Sequence, residues 1–257
     1  MSSHTHHKLR HDLVKRMLQV TRVQRLSPHM QRVTFGGDEL RGFVSAAPDD
    51  HVKLFFPNSQ GDIVPPVMGP NGPSYPPGRE YSPMRDYTPR RFDAARNELT
   101  VDFVLHGDGP ASAWAEQAVA GQQLGAGGPR GSFVVADDFE HYVLIGDETA
   151  LPAIGRWLEE MPASARVHAL IEIPEAADRQ PLASPNVRWL ERNGRPGASS
   201  QLLEQALQQM AIPAGDSFYW IATESRRARA MRQWLDEHRQ VPKEWIRATG
   251  YWSAAAE

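Results

Sequence analysis

The pattern of apolar residues changes character once along this chain, near residue 140, and that change limits the folds open to it. Before it, LVKRMLQVTRVQRLS, MQRVTFGG and HVKLFFP alternate apolar and polar residues with many β-branched positions, the period of half-buried antiparallel strands. EYSPMRDYTPRRFD, ELTVDFVLHG and GSFVV continue the series, with one short helix over GPASAWAEQA that has Pro110 near its first turn. After it, strands and helices take turns: YVLIG, DETALPAIGRWLEEM, RVHALIEI, NVRWLE, SSQLLEQALQQM, SFYWIAT, ESRRARAMRQWLDEHRQ and EWIRATGYW. Alternation of that kind builds βαβ units around a parallel sheet. The expected organisation is a flexible tail over residues 1–14, an antiparallel β-barrel over 15–138 and a parallel-sheet α/β domain over 139–257. The tail holds four His by position 11 and reads as frayed chain in preference to a metal cluster. Residues 64–78 hold six prolines and three glycines, so a long loop is expected there, neither helix nor central strand.

Composition removes several classes of chemistry. Among 257 residues, 28 Lys and Arg stand against 31 Asp and Glu, a formal charge of −3. That balance lacks the basic excess of a duplex-binding protein, so no nucleic-acid partner is expected. No apolar run approaches the length of a membrane span, and MSSHTHHKLRHD has neither an apolar core nor a small-residue cleavage site. A cytoplasmic protein without membrane insertion is the expectation. The chain has no cysteine, which excludes disulfides, thiolate zinc sites, Cys-ligated iron–sulfur clusters and thiol nucleophiles. Any redox chemistry must come from a bound cofactor.

Three segments concentrate groups that could hold one. RDYTPRRF at 85–92 puts guanidiniums, a phenol and a hydroxyl on one strand, with Arg85 and Tyr87 on one face and Asp86, Thr88 and Arg90 on the other. An Arg can pair with pyrophosphate, a Tyr can lie against a flat ring, and a Thr can hydrogen-bond a ring nitrogen. A charged edge strand ending in a turn has the same pattern. HGDGPASAWA at 106–115 places glycines and Ser112 before a helix, an arrangement that suits an anion and equally an ordinary N-cap. GDETALPAIGRW at 146–157 sits where an open α/β sheet binds nucleotides, or is a structural strand-to-helix turn without GxGxxG.

RDYTPRRF, VDFVLHGDGPASAWA, GPRGSF, GDETALPAIGRWL and the terminal GYW occur in the order and spacing of the siderophore-interacting protein family, which this chain resembles over roughly residues 15–252. Members are FAD-dependent ferric-siderophore reductases of the ferredoxin–NADP reductase superfamily. The resemblance implies a barrel that holds FAD, with Arg85, Tyr87 and Thr88 along the isoalloxazine and ribityl phosphate. It places His106, Gly109, Ala111 and Ser112 along the pyrophosphate and adenosine. It implies a second domain that receives NADPH or NADH, with Asp147, Thr149 and Ala150 at the strand-to-helix turn. The family often continues past GYW with an Arg, whereas this chain has Ser253.

The implied activity is NAD(P)H-dependent reduction of Fe(III) in an imported ferric siderophore, with release of Fe(II). Flavin converts a two-electron hydride into the single electrons iron accepts, so no catalytic side chain and no resident metal are needed. A ferric tricatecholate is a trianion and calls for a locally basic pocket, for which Lys53, Arg130 and Arg247 are the candidates. Glu172 could accept from a ribose 2′-hydroxyl, favouring NADH. Arg226, Arg227, Arg229 and Arg232 could instead bind a 2′-phosphate, the preferred reading, or form a solvated helix face. Trp114, Trp157, Trp189, Trp220 and Trp234 read as packing residues, while Trp252 either caps the flavin or chelate or packs like them. A general flavin or quinone reductase, and a non-catalytic ferric-chelate binder, are the competing functions on the same scaffold.

Overall fold

The computed structural model describes residues 4–69, 72–107, 109–162, 164–184, 186–211 and 214–254. Its contacts divide the chain into two units, one spanning His7–Val134 and the other the described residues of Met1–His6 and Val135–Glu257.

The first unit contains β1 (His7–Arg10), β2 (Lys15–Ser27), β3 (Met30–Gly36), β4 (Val52–Phe55), β5 (Val67–Gly69), β6 (Gly72–Ser74), β7 (Met84–Tyr87), β8 (Arg91–Asp93), β9 (Glu98–Val104), α1 (Pro110–Glu116), β10 (Gln123–Gly127) and β11 (Gly131–Val134). Seven of the strands form an antiparallel sheet in the order β7-β4-β10-β2-β3-β9-β8. Pro89 interrupts what the sequence suggests is one strand, and the two pieces, β7 and β8, become the two edges of that sheet. Six strand spacings would separate those edges by about 29 Å in a flat sheet, yet the three residues between them reach only about 14 Å. The sheet must therefore roll up, and the Tyr87 ring on β7 does lie 4.4 Å from the Phe103 ring on β9. The rolled interior is a single apolar core containing Leu18, Phe35, Leu54, Phe56, Val101 and Phe103.

One expectation fails in this unit, and one strand goes unmarked in the sequence. Residues 7–10 are no free tail, because they pair with β11 through His7↔Val134 to Arg10↔Gly131. Hydrogen bonds satisfied against an otherwise unpaired strand order this stretch, although its own side chains are exposed. The QLGAG stretch, unremarked in the sequence, is β10, an interior strand between β4 and β2. Its small residues are required there: a Cβ at Gly125 would lie 3.1 Å from Ile63 Cγ2 and 3.3 Å from Phe55 Cβ. Among its described residues the proline-rich segment carries the isolated two-stranded pair β5–β6; residues 70–71 lie outside the described chain.

The second unit contains β12 (His141–Gly146), α2 (Leu151–Glu160), β13 (Arg166–Ile173), β14 (Val187–Glu191), α3 (Leu202–Gln209), β15 (Ser217–Glu224), α4 (Ser225–Arg239) and β16 (Ile246–Trp252). The strands form one parallel sheet in the order β14-β13-β12-β15-β16. Chain direction across the sheet reverses between β12 and β15, and such a switch point opens a crevice at the carboxyl ends of the strands. Both faces are covered, α2 packing over Tyr142, Leu144 and Trp220, and α3 with α4 over Val143, Ile145, Tyr219 and Ile221. His4 and His6 belong here, not to a frayed tail: the His4 ring stacks 3.6 Å from Phe139, and His6 accepts the Ala136 N–H at 3.1 Å.

The opposite, amino end of this sheet buries two imidazole nitrogens without partners among the described residues, His141 Nδ1 and His168 Nε2. The two imidazole rings lie 5.5 Å apart. Burial, reinforced by His141, lowers the pKa of His168 from its ordinary 6.5. An unfolded chain therefore binds a proton that the folded chain resists, so this contribution to stability is complete above about pH 6.5 and is lost as the pH falls below it. Urea midpoints taken at about pH 7.5 and about pH 5.5 should fall more for the wild type than for His168→Gln. An equal loss in both proteins would remove His168 as a source of acid sensitivity.

Candidate functional site

In the barrel unit, β7 and α1 converge on one aromatic cluster. Tyr87 packs 4.4 Å from Phe103 and 6.4 Å from Phe56, and Trp114 of α1 packs 5.7 Å and 5.9 Å from the same two rings. The Gln31 amide on β3 donates to the Ala115 carbonyl and anchors the helix from below. This shared packing brings the RDYT segment and the 106–112 segment to one region of the unit. Burial pushes the Tyr87 phenol well above its ordinary pKa of 10, with Arg85 opposing, so the group stays protonated and can donate a hydrogen bond. Thr88 is buried, while Arg85 is exposed and spends one N–H on the Met84 carbonyl at 2.8 Å.

The approach to α1 is set by Ser112, whose buried hydroxyl accepts the His106 N–H at 2.9 Å. Gly109, at φ 87°, turns the chain into Pro110, and no side chain among the described residues caps the helix. Its first N–H groups, on Ala111 and Ser112, meet no acceptor among the described residues and could serve a ligand. The His106 ring is exposed. A half-buried neutral phenol, an exposed guanidinium and an uncapped turn suit an extended group with a flat ring and a pyrophosphate, so these residues fit FAD.

Of the proposed basic residues, Lys53 and Arg130 fall in the barrel unit and Arg247 in the other. Lys53 on β4 stands opposite Asp86 on β7, and its ammonium lies 2.7 Å from that carboxylate. Arg130 is exposed just beyond β10, whose Gly127 faces Lys53 in register. Its loop is held by the His11 N–H, 3.0 Å from the Arg130 carbonyl, and by Arg16, 3.3 Å from the Gly128 carbonyl. Arg247 belongs to the other unit, half-buried near the start of β16 opposite Trp220.

In the α/β unit, β12 ends on Gly146, where any side chain is excluded: a Cβ would sit 2.4 Å from Ala150 Cβ and 2.8 Å from the Ala222 carbonyl. Asp147 follows, buried, and its carboxylate accepts from the Thr149 N–H (2.9 Å) and hydroxyl (2.5 Å), the Thr223 hydroxyl (2.6 Å) and the Trp252 indole N–H (2.8 Å). That carboxylate is committed to holding β12, β15 and β16 together. Thr149 and Ala150 form the turn into α2, which has no side-chain cap. Trp252 is thereby tied to the turn of its own unit.

Beside this turn runs a chain of buried charges that the sequence did not reveal. Arg192 pairs with Glu148 at 2.6 and 2.7 Å and with Glu172 at 3.4 Å. Arg227 pairs with Glu172 at 2.8 Å and with Glu204 at 2.8 Å. Burial raises the Glu148 pKa, with the Arg192 hydrogen bond opposing. Burial alone would lower the Arg227 pKa, but Glu204 and Glu172 outweigh it and raise it, so Arg227 stays charged. Glu172, with 0 % exposure, is therefore no acceptor for a ribose hydroxyl, and Arg227 is no free 2′-phosphate ligand. Arg226, Arg229 and Arg232 remain exposed on α4. The N–H groups of Arg226 and Arg227 are capped by the Glu224 carboxylate at 2.6 and 3.1 Å, which leaves no room for an anion there. The remaining tryptophans pack, with Trp157 and Trp220 buried in the core beneath α2.

The chain resembles known proteins along nearly its whole length. The chain is 38 % identical over 253 residues, 96 % of each chain, to the NADPH-dependent ferric-chelate reductase of Escherichia coli K12. It is 32 % identical over 244 residues to the ferric vibriobactin reductase ViuB of Vibrio cholerae, covering 92 % of this chain and 89 % of that one. A siderophore utilization protein from T. fusca has the same fold, with a TM-score of 0.91, 38 % identity and 98 % of each chain covered. Residues 19–133 match the siderophore-interacting FAD-binding domain and residues 139–255 the siderophore-interacting protein domain; with both halves matched, the chain belongs to the siderophore-interacting protein family.

Proposed function

We propose that this protein is an NADPH-dependent ferric-siderophore reductase that frees iron from an imported chelate. The observation that carries the reading is the arrangement around Tyr87: a phenol kept neutral by burial, beside exposed Arg85 and an uncapped α1, in a unit that matches an FAD-binding domain. FAD supplies the redox chemistry, taking up a hydride and passing electrons on singly. The chain's own residues bind and orient. With FAD bound, Arg85 would offset the pyrophosphate charge, the Ala111 and Ser112 N–H groups would donate to it, Tyr87 would meet the flat ring and offer its hydroxyl, and Thr88 would add a hydrogen bond. Lys53 and Arg130 attract the anionic chelate. Hard oxygen ligands hold Fe(III) more tightly than the less charged Fe(II), so one-electron reduction loosens the complex.

NADPH enters at the turn formed by Thr149 and Ala150, where the backbone rather than the committed Asp147 carboxylate meets the nucleotide. Arg226, exposed beside the carboxyl end of β15, is the residue for the 2′-phosphate. No helix of the described residues is long and apolar enough to cross a membrane. A cytoplasmic location, where NADPH is at hand, accompanies this reading.

Three outcomes test it. Arg85→Ala should lower the FAD content of the purified protein, whereas Lys53→Ala and Arg130→Ala should retain FAD and weaken binding of an anionic ferric chelate; unchanged chelate affinity in both would remove them from the site. Arg226→Gln should raise KM for NADPH without altering that for NADH, and a clear preference of the wild type for NADH would overturn the donor assignment. Arg227→Gln should behave differently, costing about 3–5 kcal/mol of stability by leaving Glu204 unpaired and Glu172 with only its longer contact to Arg192. A thermal melt unaffected by that change would contradict the buried network.

A further inference from the structure

We infer that Asp86 sets the charge selectivity of the chelate site by competing with the bound anion for Lys53. The inference rests on the proposed reading, in which Lys53 and Arg130 meet a ferric chelate. Of these two cations, Arg130 is exposed and pairs with no carboxylate among the described residues, whereas the Lys53 ammonium lies 2.7 Å from Asp86 Oδ1. The pairing is built into the fold, because Lys53 and Asp86 are direct cross-strand partners on β4 and β7. Both side chains are substantially exposed, at 40 % and 50 %, so the pair adds little to stability and its ammonium can be approached from solvent.

Asp86 lies between Arg85 and Tyr87, inside the segment assigned to the flavin, yet its carboxylate turns to Lys53. Its effect on a ligand depends on the ligand's charge. A trianionic chelate gains attraction from Lys53 but meets repulsion from Asp86, while a neutral chelate feels neither to first order. The site therefore admits strongly anionic chelates more weakly than its cations alone would allow. Reduction from Fe(III) to Fe(II) adds one negative charge to the complex, so the same carboxylate also limits retention of the reduced, more anionic form.

The test uses the oxidised, FAD-loaded protein without nucleotide and follows chelate binding by fluorescence quenching. Two probes are compared: a hexadentate ferric tris-catecholate carrying three negative charges, and a ferric trihydroxamate with no net charge. Asp86→Asn, which keeps the size of the side chain, should bind the tris-catecholate roughly three- to ten-fold more tightly at low ionic strength. The gain should shrink as salt is added, and trihydroxamate affinity should not change. Lys53→Ala, measured alongside, should weaken only the tris-catecholate. If Lys53→Ala leaves its affinity unchanged, the placement of Lys53 at the chelate fails and this inference fails with it. If Lys53→Ala weakens binding but Asp86→Asn does not strengthen it, or strengthens both probes alike, the reading of the site stands and Asp86 is not its charge selector.

Discussion

Much of the α/β unit depends on one carboxylate. Asp147 is 1 % exposed and accepts four hydrogen bonds, from the N–H and hydroxyl of Thr149, from Thr223 and from Trp252. A carboxylate at that depth is tolerated only when its acceptor sites are filled, and here they are filled by Thr149 and by groups from the ends of β15 and β16. The turn after β12 is thereby fixed in place. Glu148, the next residue, continues the arrangement through Arg192, Glu172, Arg227 and Glu204, alternating sign at each step. Loss of either arginine would leave a carboxylate at the end of the chain unpaired, Glu148 without Arg192 or Glu204 without Arg227.

The barrel unit solves a different problem. Its sheet rolls until the edge strand β7 meets the aromatic core. Tyr87 and Trp114 reach the same phenylalanines from different elements, so burial fixes their spacing. With no cysteine in the chain, no iron–sulfur cluster can be held by thiolates, and the redox step falls to the cofactor of the matched FAD-binding domain. The overall charge of −3 says nothing of the cations at Lys53 and Arg130, because screened surface charge acts locally.

What could be read from the sequence was whatever depends on local periodicity. The change from alternating strands to strands and helices, the helices over DETALPAIGRW and ESRRARAMRQW, and the strand-to-helix turn at Gly146 all follow from residues close in the chain. Elements fixed by distant partners were hidden. β10 carries almost no apolar signal, because an interior strand packed against Phe55 and Ile63 needs glycine at position 125. β1 looks like a tail because its order comes from pairing with residues more than 120 positions away. The segment around RDYTPRRF reads as one strand, but Pro89 and the curvature of the sheet divide it between two edges. Glu172 looked like a ribose acceptor, since nothing near it in sequence announces Arg192 and Arg227. Trp252, equally, meets Asp147 across 105 positions.

The central claim is that electrons pass from NADPH through FAD to a ferric chelate on this chain. The most direct measurement follows the flavin absorbance of the loaded protein without oxygen. Addition of NADPH should bleach it, and a ferric chelate should then restore it while about two ferrous ions appear per flavin. A flavin that NADPH does not bleach, or a bleached flavin that the ferric chelate fails to reoxidise, would contradict the account.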